Sequence, residues 1–446
     1  MIFSSLEFII FFLIFILFIL AFRKFQRFVI ILFSFVFYSF WEPLFSLVII
    51  YLIFTSYFSL KNKIQLKFSI PLLLLPLFYF KYSFFLFEIF KIKDVGLFSY
   101  SGNLPLGISF VTFTAIALLV DLKKKVFTEN LTLSSLSEFI VYFPQLIAGP
   151  ILRAKELVPL LKEKISFKKE NFKFGFLLFI IGFSKKVFFA DTIGQYIDPI
   201  FFNPLNFSGE YILIASLLFP LQIYFDFSGY VDMALGISNI LGIKLPINFD
   251  RPYLSRSLTE FWRRWHITLS KWFRDYVYIP IGGSRAGLTR TYYNLIVTMT
   301  VAGLWHGASW NFILWGFIHG FLLSLEKLIF TSNTKKYFPK IFQIFITCFI
   351  VFNLWVVFRI SDFETLKLFF EILYSNYSQI FNIKVFYALL ILFIGVISQN
   401  YDNYNFIEKS AKKINLKVLI PVAVSILLSG FLLSLGTSEK FIYFDF

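Results

Sequence analysis

Apolar runs alternate with short charged clusters from one end of the chain to the other. A run of about 20 apolar residues is what a helix needs to cross a bilayer. The first covers Ile2–Phe22, and later ones fall at roughly 174–190, 211–226, 291–305, 309–327, 341–360, 384–399 and 418–435. With the runs between residues 23 and 122, the pattern predicts an all-α polytopic membrane protein of about 11–12 transmembrane or half-membrane helices. A β-barrel would need short strands of alternating polarity, a pattern the chain does not carry. The first run has no basic leader and no small-residue cleavage site, so it reads as a retained span rather than a signal peptide.

The clusters orient the spans. Arg23, Lys24 and Arg27 follow the first run, Lys61, Lys63 and Lys67 the third, and Lys123–Lys125 the fifth. The intervening turns, at Glu42-Pro43 and near Lys91–Asp94, are poor or mixed in charge. Basic loops stay in the cytoplasm, so this alternation predicts an N-terminus outside. The same logic puts the C-terminal "TSEKFIYFDF" outside. "FIVYFPQLIAGPIL", residues 139–152, is too short to cross and holds two prolines. With basic residues 153–173 after it, it reads as a re-entrant segment beside a cavity, since irregular backbone at membrane depth needs protein or water around it.

"SLTEFWRRWHITLSKWFRDYVY", Ser257–Tyr278, has the capping signature of a helix start in Ser257 and Glu260. Continued as one helix, it carries Leu258, Phe261, Trp262, Trp265, Leu269, Trp272, Phe273 and Tyr276 on one side. Arg263, Arg264, Lys271 and Arg274 lie on the other, and His266 at the edge of the apolar stripe. That is the pattern of an amphipathic helix along a membrane surface. Its basic side suits lipid phosphates or an acidic donor equally. "YIPIGGSR", Tyr278–Arg285, must end the helix and turn the chain.

Composition changes the picture little: 58% hydrophobic, 15% charged, 67 phenylalanines, mean hydropathy +0.76. The net charge of +16 sits in clusters between apolar runs, which assigns it to membrane topology rather than to nucleic acid. Cys348 is the single cysteine, so no internal disulfide framework exists. Neither a repeat, a low-complexity linker nor a soluble domain is visible. Residues 1–446 read as one integral membrane domain, with a core at about 100–325, N-terminal helices in 1–99 and C-terminal helices in 341–435.

The candidate chemistry lies in "GLWHGASWNFILWGFIHG", Gly303–Gly320. An ionisable residue inside a membrane segment is a functional hypothesis by default. On one continuous helix His306 and His319 would stand about 140° apart and roughly 20 Å along the axis, so they could not serve one centre. His319, among apolar neighbours, reads as structural. No metal is expected: His266, His306 and His319 lack ligand spacing and a supporting cysteine cluster. A neutral histidine suits removal of a proton from an attacking hydroxyl. With no Gly-x-Ser-x-Gly motif for a serine acyl-enzyme, direct transfer from a thioester to a hydroxyl remains, His306 acting as base. His266 or Asn311 could stabilise the oxyanion. Residue type alone does not separate this from other proton-transfer chemistry.

Four blocks resemble the membrane-bound O-acyltransferase family: "PLGISFVTFTAIALLVD" (Pro105–Asp121), "FPQLIAGPILR" (Phe143–Arg153), the stretch Gln222–Arg285 that contains "WRRWH", and "GLWHGASWNFILWGFIHG". "WVVFRISDFETL" (Trp355–Leu366) and the terminal "FIYFDF" add weaker support. The likeness is strongest to the bacterial alginate and polysaccharide O-acetyltransferase branch. It implies tilted helices around a central tunnel with re-entrant elements, in the cytoplasmic membrane of a bacterium. It also implies His306 as the catalytic residue and His266 as a second functional position along the tunnel. Trp305, Asn311, Arg263, Arg264, Lys271, Arg274 and Asp226 are carried as donor- or substrate-tunnel candidates. The implied donor is acetyl-CoA or another acyl thioester from the cytoplasm, with no bound cofactor. The implied acceptor is an extracytoplasmic glycan, reached through a periplasmic SGNH-type acetyltransferase partner. A sibling branch that moves D-alanine to teichoic acid is one alternative. A transporter or flippase is the other, although the inverted repeat of many transporters is not visible.

Overall fold

Helices form where the apolar runs place them. In a computed structural model, residues 1–92, 104–285, 287–329, 338–375 and 383–434 are described, and every regular element among them is helical. The terminal "TSEKFIYFDF" and Asp94 lie outside the described residues. Six described helices are long and apolar enough to cross a membrane: Pro43–Lys61, Leu66–Ile89, Gly209–Ile240, Trp310–Ile329, Lys340–Arg359 and Leu416–Ser434. A seventh is added if Leu6–Ala21 and Arg23–Ser39, bent by 103°, count as one span. The other runs are helical too, but charge or length separates them from these. The run at 174–190 continues into Lys185, Lys186 and Asp191, that at 291–305 begins with a polar turn at Thr289–Thr291, and Ile383–Ser398 has 16 residues.

The chain forms two compact units. One contains Met1–Phe183, Tyr230–Pro246 and, of the described residues, 411–434. Phenylalanine builds its interior: the Phe143 ring is 5.5 Å from Phe11, 5.3 Å from Phe15 and 5.6 Å from Phe37. Such aromatic pairs add about 0.5–1.5 kcal/mol each beyond the area they bury. The expected re-entrant stretch lies here. After Leu133–Val141 and the short turn Phe143–Leu146 the backbone is irregular through Arg153, and residues 138–152 are all buried. The irregular backbone is therefore enclosed by protein, a condition that such backbone would have to meet at membrane depth. Gly107, at φ +67°, starts the Ile108–Lys123 helix against it. A Cβ there would stand 2.4 Å from the Leu146 carbonyl oxygen.

The other unit contains Ser184–Gly229 and the described part of Ile247–Ser410. It contains a helical hairpin, Leu288–His306 and Trp310–Ile329, joined by Gly307–Ser309. With 19 and 20 residues, the two are about 28 and 30 Å long, so each has the length of a full span rather than of the half-spans that the apolar runs permit. Glycine lets them touch. A Cβ on Gly303 would stand 2.1 Å from Phe312 O, and one on Gly316 would stand 2.2 Å from Met299 O.

Candidate active site

The amphipathic segment is not one helix. Leu258–Arg264 ends at Trp265, His266 takes a left-handed backbone (φ 42°, ψ 55°), and Ile267–Phe273 starts afresh. Asn248 makes the break possible. Its carbonyl O accepts from Ile267 N (2.9 Å), and its Oδ1 accepts from Thr268 N and Thr268 Oγ1, both at 3.0 Å. The first amides of the new helix thus find partners outside it. The predicted start is where it was expected: Ser257 Oγ accepts from Glu260 N at 3.1 Å, and Glu260 Oε2 accepts from Arg256 N at 2.8 Å. The predicted membrane-facing stripe is corrected. Leu258, Phe261, Trp265, Leu269, Trp272 and Phe273 are buried in protein rather than presented to lipid.

The break sets His266. The imidazole is buried, Phe227 meets it edge-on at 4.7 Å, and Nδ1 donates to Asn248 Oδ1 at 3.3 Å. His266 lies outside the candidate membrane-crossing helices, and burial pushes its pKa down to about 3, holding it neutral. Trp305 stands between the two histidines of interest, its ring 6.2 Å from His266 and 4.9 Å from His306.

His306 ends its helix at the hairpin turn and lines a cavity of about 820 Å³. Arg263, Arg274 and Lys327 line it as well, as do Glu260 and Glu326. The carboxylates are engaged locally. Glu260 Oε1 pairs with Arg264 at 2.6 Å, and Glu326 Oε2 accepts from Leu258 N (2.6 Å) and Thr259 N (3.3 Å). Arg263 and Lys327 make no ion pair among the described residues, whereas Arg274 pairs with Asp275 at 2.7 Å. A half-open pocket with a surplus of uncommitted positive charge attracts anions, and its one lining imidazole can exchange a proton with whatever enters.

The helix break at Gly307–Ser309 also corrects the separation of the histidines. Trp315 meets His306 at 5.4 Å and His319 at 4.7 Å, so one indole touches both. His319 does not line the cavity; its Nδ1 accepts from Trp262 Nε1 at 3.4 Å.

The remaining sequence candidates divide. Arg263 and Arg274 are at the cavity wall. Arg264 is committed to Glu260 and to the Arg251 carbonyl (3.4 Å), and Lys271 does not line the cavity. Asn311 is buried and does not line it; its Nδ2 donates to Ile360 O at 2.6 Å, fixing the start of the second hairpin helix. His266 and Trp305 form the packing behind His306 rather than the wall.

Asp226 is likewise off the cavity, in a buried ion cluster. Lys186 Nζ is 2.6 Å from Asp226 Oδ1 and 2.6 Å from Asp191 Oδ1. Beside it Lys185 pairs with Asp402 at 2.6 Å, and Arg359 with Asp198 at 3.1 Å. The cluster is next in sequence to both aromatic supports of the histidines: Asp226 precedes Phe227, and Phe358, 5.1 Å from His306, precedes Arg359. Sequence reasoning passed over Lys186, although two lysines inside an apolar run are a legible warning of buried partners. It also passed over Asn248, Trp315, Glu326 and Lys327, whose contacts are remote in sequence. Among the described residues no group of histidine, cysteine and carboxylate could hold a metal.

Residues 30–363 match the membrane-bound O-acyltransferase (MBOAT) family. The chain is 39% identical to a probable alginate O-acetylase of Pseudomonas aeruginosa over 272 residues, 61% of this chain and 52% of that protein. It is 39% identical to a peptidoglycan O-acetyltransferase of Helicobacter pylori over 290 residues, 59% of this chain and 55% of that protein. A teichoic acid D-alanyltransferase of Streptococcus thermophilus is 33% identical over 234 residues, 48% of this chain and 55% of that protein. The chain spans about half the length of the curated relatives it matches.

Proposed function

The chain belongs to the membrane-bound O-acyltransferase family, and from that premise we propose that it transfers an acetyl group from a thioester donor for O-acetylation of an extracytoplasmic glycan. One observation carries this reading: His306 lines a half-open cavity with Arg263, Arg274 and Lys327. The donor enters with its anionic groups on those cations, which brings its thioester to the imidazole. His306 takes the proton of the attacking hydroxyl as the new C–O bond forms, and returns it to the departing thiolate. His266 is a positioning residue that acts through Trp305. No bound cofactor is required.

The multi-pass chain lies in the cytoplasmic membrane with its N-terminus outside, the orientation that the clusters at Arg23–Arg27, Lys61–Lys67 and Lys123–Lys125 favour. The donor is then cytoplasmic acetyl-CoA or another acyl thioester. A separate SGNH-type partner on the far side completes delivery to the glycan. The relative that moves D-alanine supplies the competing reading.

The test measures ester-linked acetate and ester-linked D-alanine on envelope glycans of cells carrying the intact chain or His306→Ala, at matched membrane levels. Loss of acetate alone supports the proposal. Loss of D-alanine alone transfers it to the sibling reaction, and no change in either removes His306 as base.

A further inference from the structure

Ser257 and Glu326, at the wall of the catalytic cavity, also line a second space of about 250 Å³. Its walls come from Trp310–Ile329 and Lys340–Arg359, two of the helices long and apolar enough to cross a membrane. Leu322, Leu325 and Ile329 line it from the first, Phe342, Ile346 and Ile350 from the second. Steps of three and four residues put each set on one helix face, and each set runs about 10–12 Å along its axis. Phe342 and Ile346 remain 43% and 41% exposed, so protein does not cover these walls. Arg256 is the one cation among the described residues that line the groove, and it is exposed and makes no ion pair among them. It stands two residues before Leu258, whose amide donates to Glu326 in the last turn of the first helix. The carboxylates near it are engaged: Glu260 pairs with Arg264 and accepts the Arg256 amide, and Glu326 Oε2 accepts from Leu258 N and Thr259 N.

We propose that this groove holds one acyl chain of an anionic phospholipid, with the headgroup phosphate on Arg256. Apolar walls between membrane-crossing helices, with an unpaired guanidinium at the rim, match an amphiphile whose head is negative. In a bilayer that chemistry belongs to the anionic phospholipids, which Lys and Arg at the membrane surface attract. A neutral lipid or the helix of a partner protein would cover the same walls but leave Arg256 without an anion. Buried methylenes supply affinity, and the arginine supplies the choice of head group. The site is separate from the acyl-transfer centre and does not rest on the function proposed above. Through Ser257 and Glu326 the lipid lies against the capped start of Leu258–Arg264, the helix that carries Arg263 to the catalytic cavity.

The test uses the full-length chain in phosphatidylcholine nanodiscs that contain a trace of phosphatidylglycerol with a diazirine on its acyl chain. After illumination the labelled residues are mapped by peptide mass spectrometry. Label should fall on the Leu322–Ile329 and Phe342–Ile350 faces, and unlabelled phosphatidylglycerol should displace it where added phosphatidylcholine does not. Arg256→Gln should lower the labelling about fivefold, and Arg256→Lys should restore most of it. Ile346→Trp, which fills the groove, should abolish it. Arg256→Gln alters only an exposed side chain, so it decides the matter even if Ile346→Trp fails to fold. A phosphatidylcholine probe that labels the same faces equally, or labelling unchanged in Arg256→Gln, reduces the groove to ordinary lipid contact and overturns the proposal. Label confined to other faces overturns it as well. So does the absence of label, which would leave a second protein helix as the occupant.

Discussion

Removing one ammonium should cost this protein more than removing the carboxylate beside it. Lys186 is 3% exposed at its side chain, Asp226 2% and Asp191 16%, and the lysine holds both carboxylates at 2.6 Å. The two acceptor oxygens are therefore at most twice that distance apart. At such a separation two negative charges repel by about 3 kcal/mol at an effective dielectric near 20. Breaking a buried ion pair by deleting one partner costs about 3–5 kcal/mol, and Lys186→Met exposes the protein to both effects. Asp226→Asn leaves the Lys186–Asp191 pair intact and forfeits one charged hydrogen bond, about 1.5–3 kcal/mol. The apparent melting temperature of purified protein in micelles should fall in the order wild type, Asp226→Asn, Lys186→Met. The double variant Lys186→Met/Asp226→Asn should recover part of the loss, because the repulsion disappears with the second charge. Acyl transfer should decline in the same order, since Phe227 carries the perturbation to His266. A Lys186→Met protein melting within about 2 °C of wild type, or one less damaged than Asp226→Asn, would refute the shared-lysine argument.

Two further outcomes follow from the site. Arg263→Gln and Lys327→Gln, each a cation at the cavity wall without an ion pair among the described residues, should raise the donor KM by about tenfold apiece with little change in kcat. Added salt should shrink the difference, and a salt-independent loss of kcat would contradict their assignment to donor charge. His266, neutral in the folded state with its pKa pushed to about 3 from 6.5, should make stability pH-dependent. Above pH 6.5 it is neutral in both states; as pH falls from there, the unfolded chain takes a proton that the folded site refuses, and stability drops by about 2 kcal/mol near pH 5. Unfolding curves of His266→Gln should flatten over that window, and curves parallel to wild type would show that another group titrates there.

The spans were legible because a bilayer selects on one property, unbroken apolar length, which a sequence displays directly. The helix start at Ser257 was legible for a similar reason: a cap is local, and Ser257 and Glu260 are three residues apart. The break at His266 was not. The pattern of Phe261, Trp265, Leu269 and Trp272 continues through it without a flaw, and the group that ends one helix and starts the next is Asn248, 18 residues upstream. Nor can an apolar stripe say whether lipid or protein will cover it, since both reward burial equally. The stripe reads as lipid-facing, and Phe261, Trp265, Leu269 and Trp272 are buried within the protein.

The same distinction separates the four cations of this segment. The basic side of Ser257–Tyr278 presented Arg263, Arg264, Lys271 and Arg274 as equivalents, because a helical projection sees side chains and not their partners. Glu260, placed to receive the amide of Arg256, also pairs with Arg264 and takes it out of play. Glu326 comes from the second hairpin helix to accept the first two amides of Leu258–Arg264. Both carboxylates at the cavity are thus spent on the ends and flank of one short helix, and the charge left over belongs to Arg263 and to Lys327, which the sequence pattern did not single out. The capping role of Glu326 therefore leaves Arg263 and Lys327 at the cavity wall without an ion pair among the described residues.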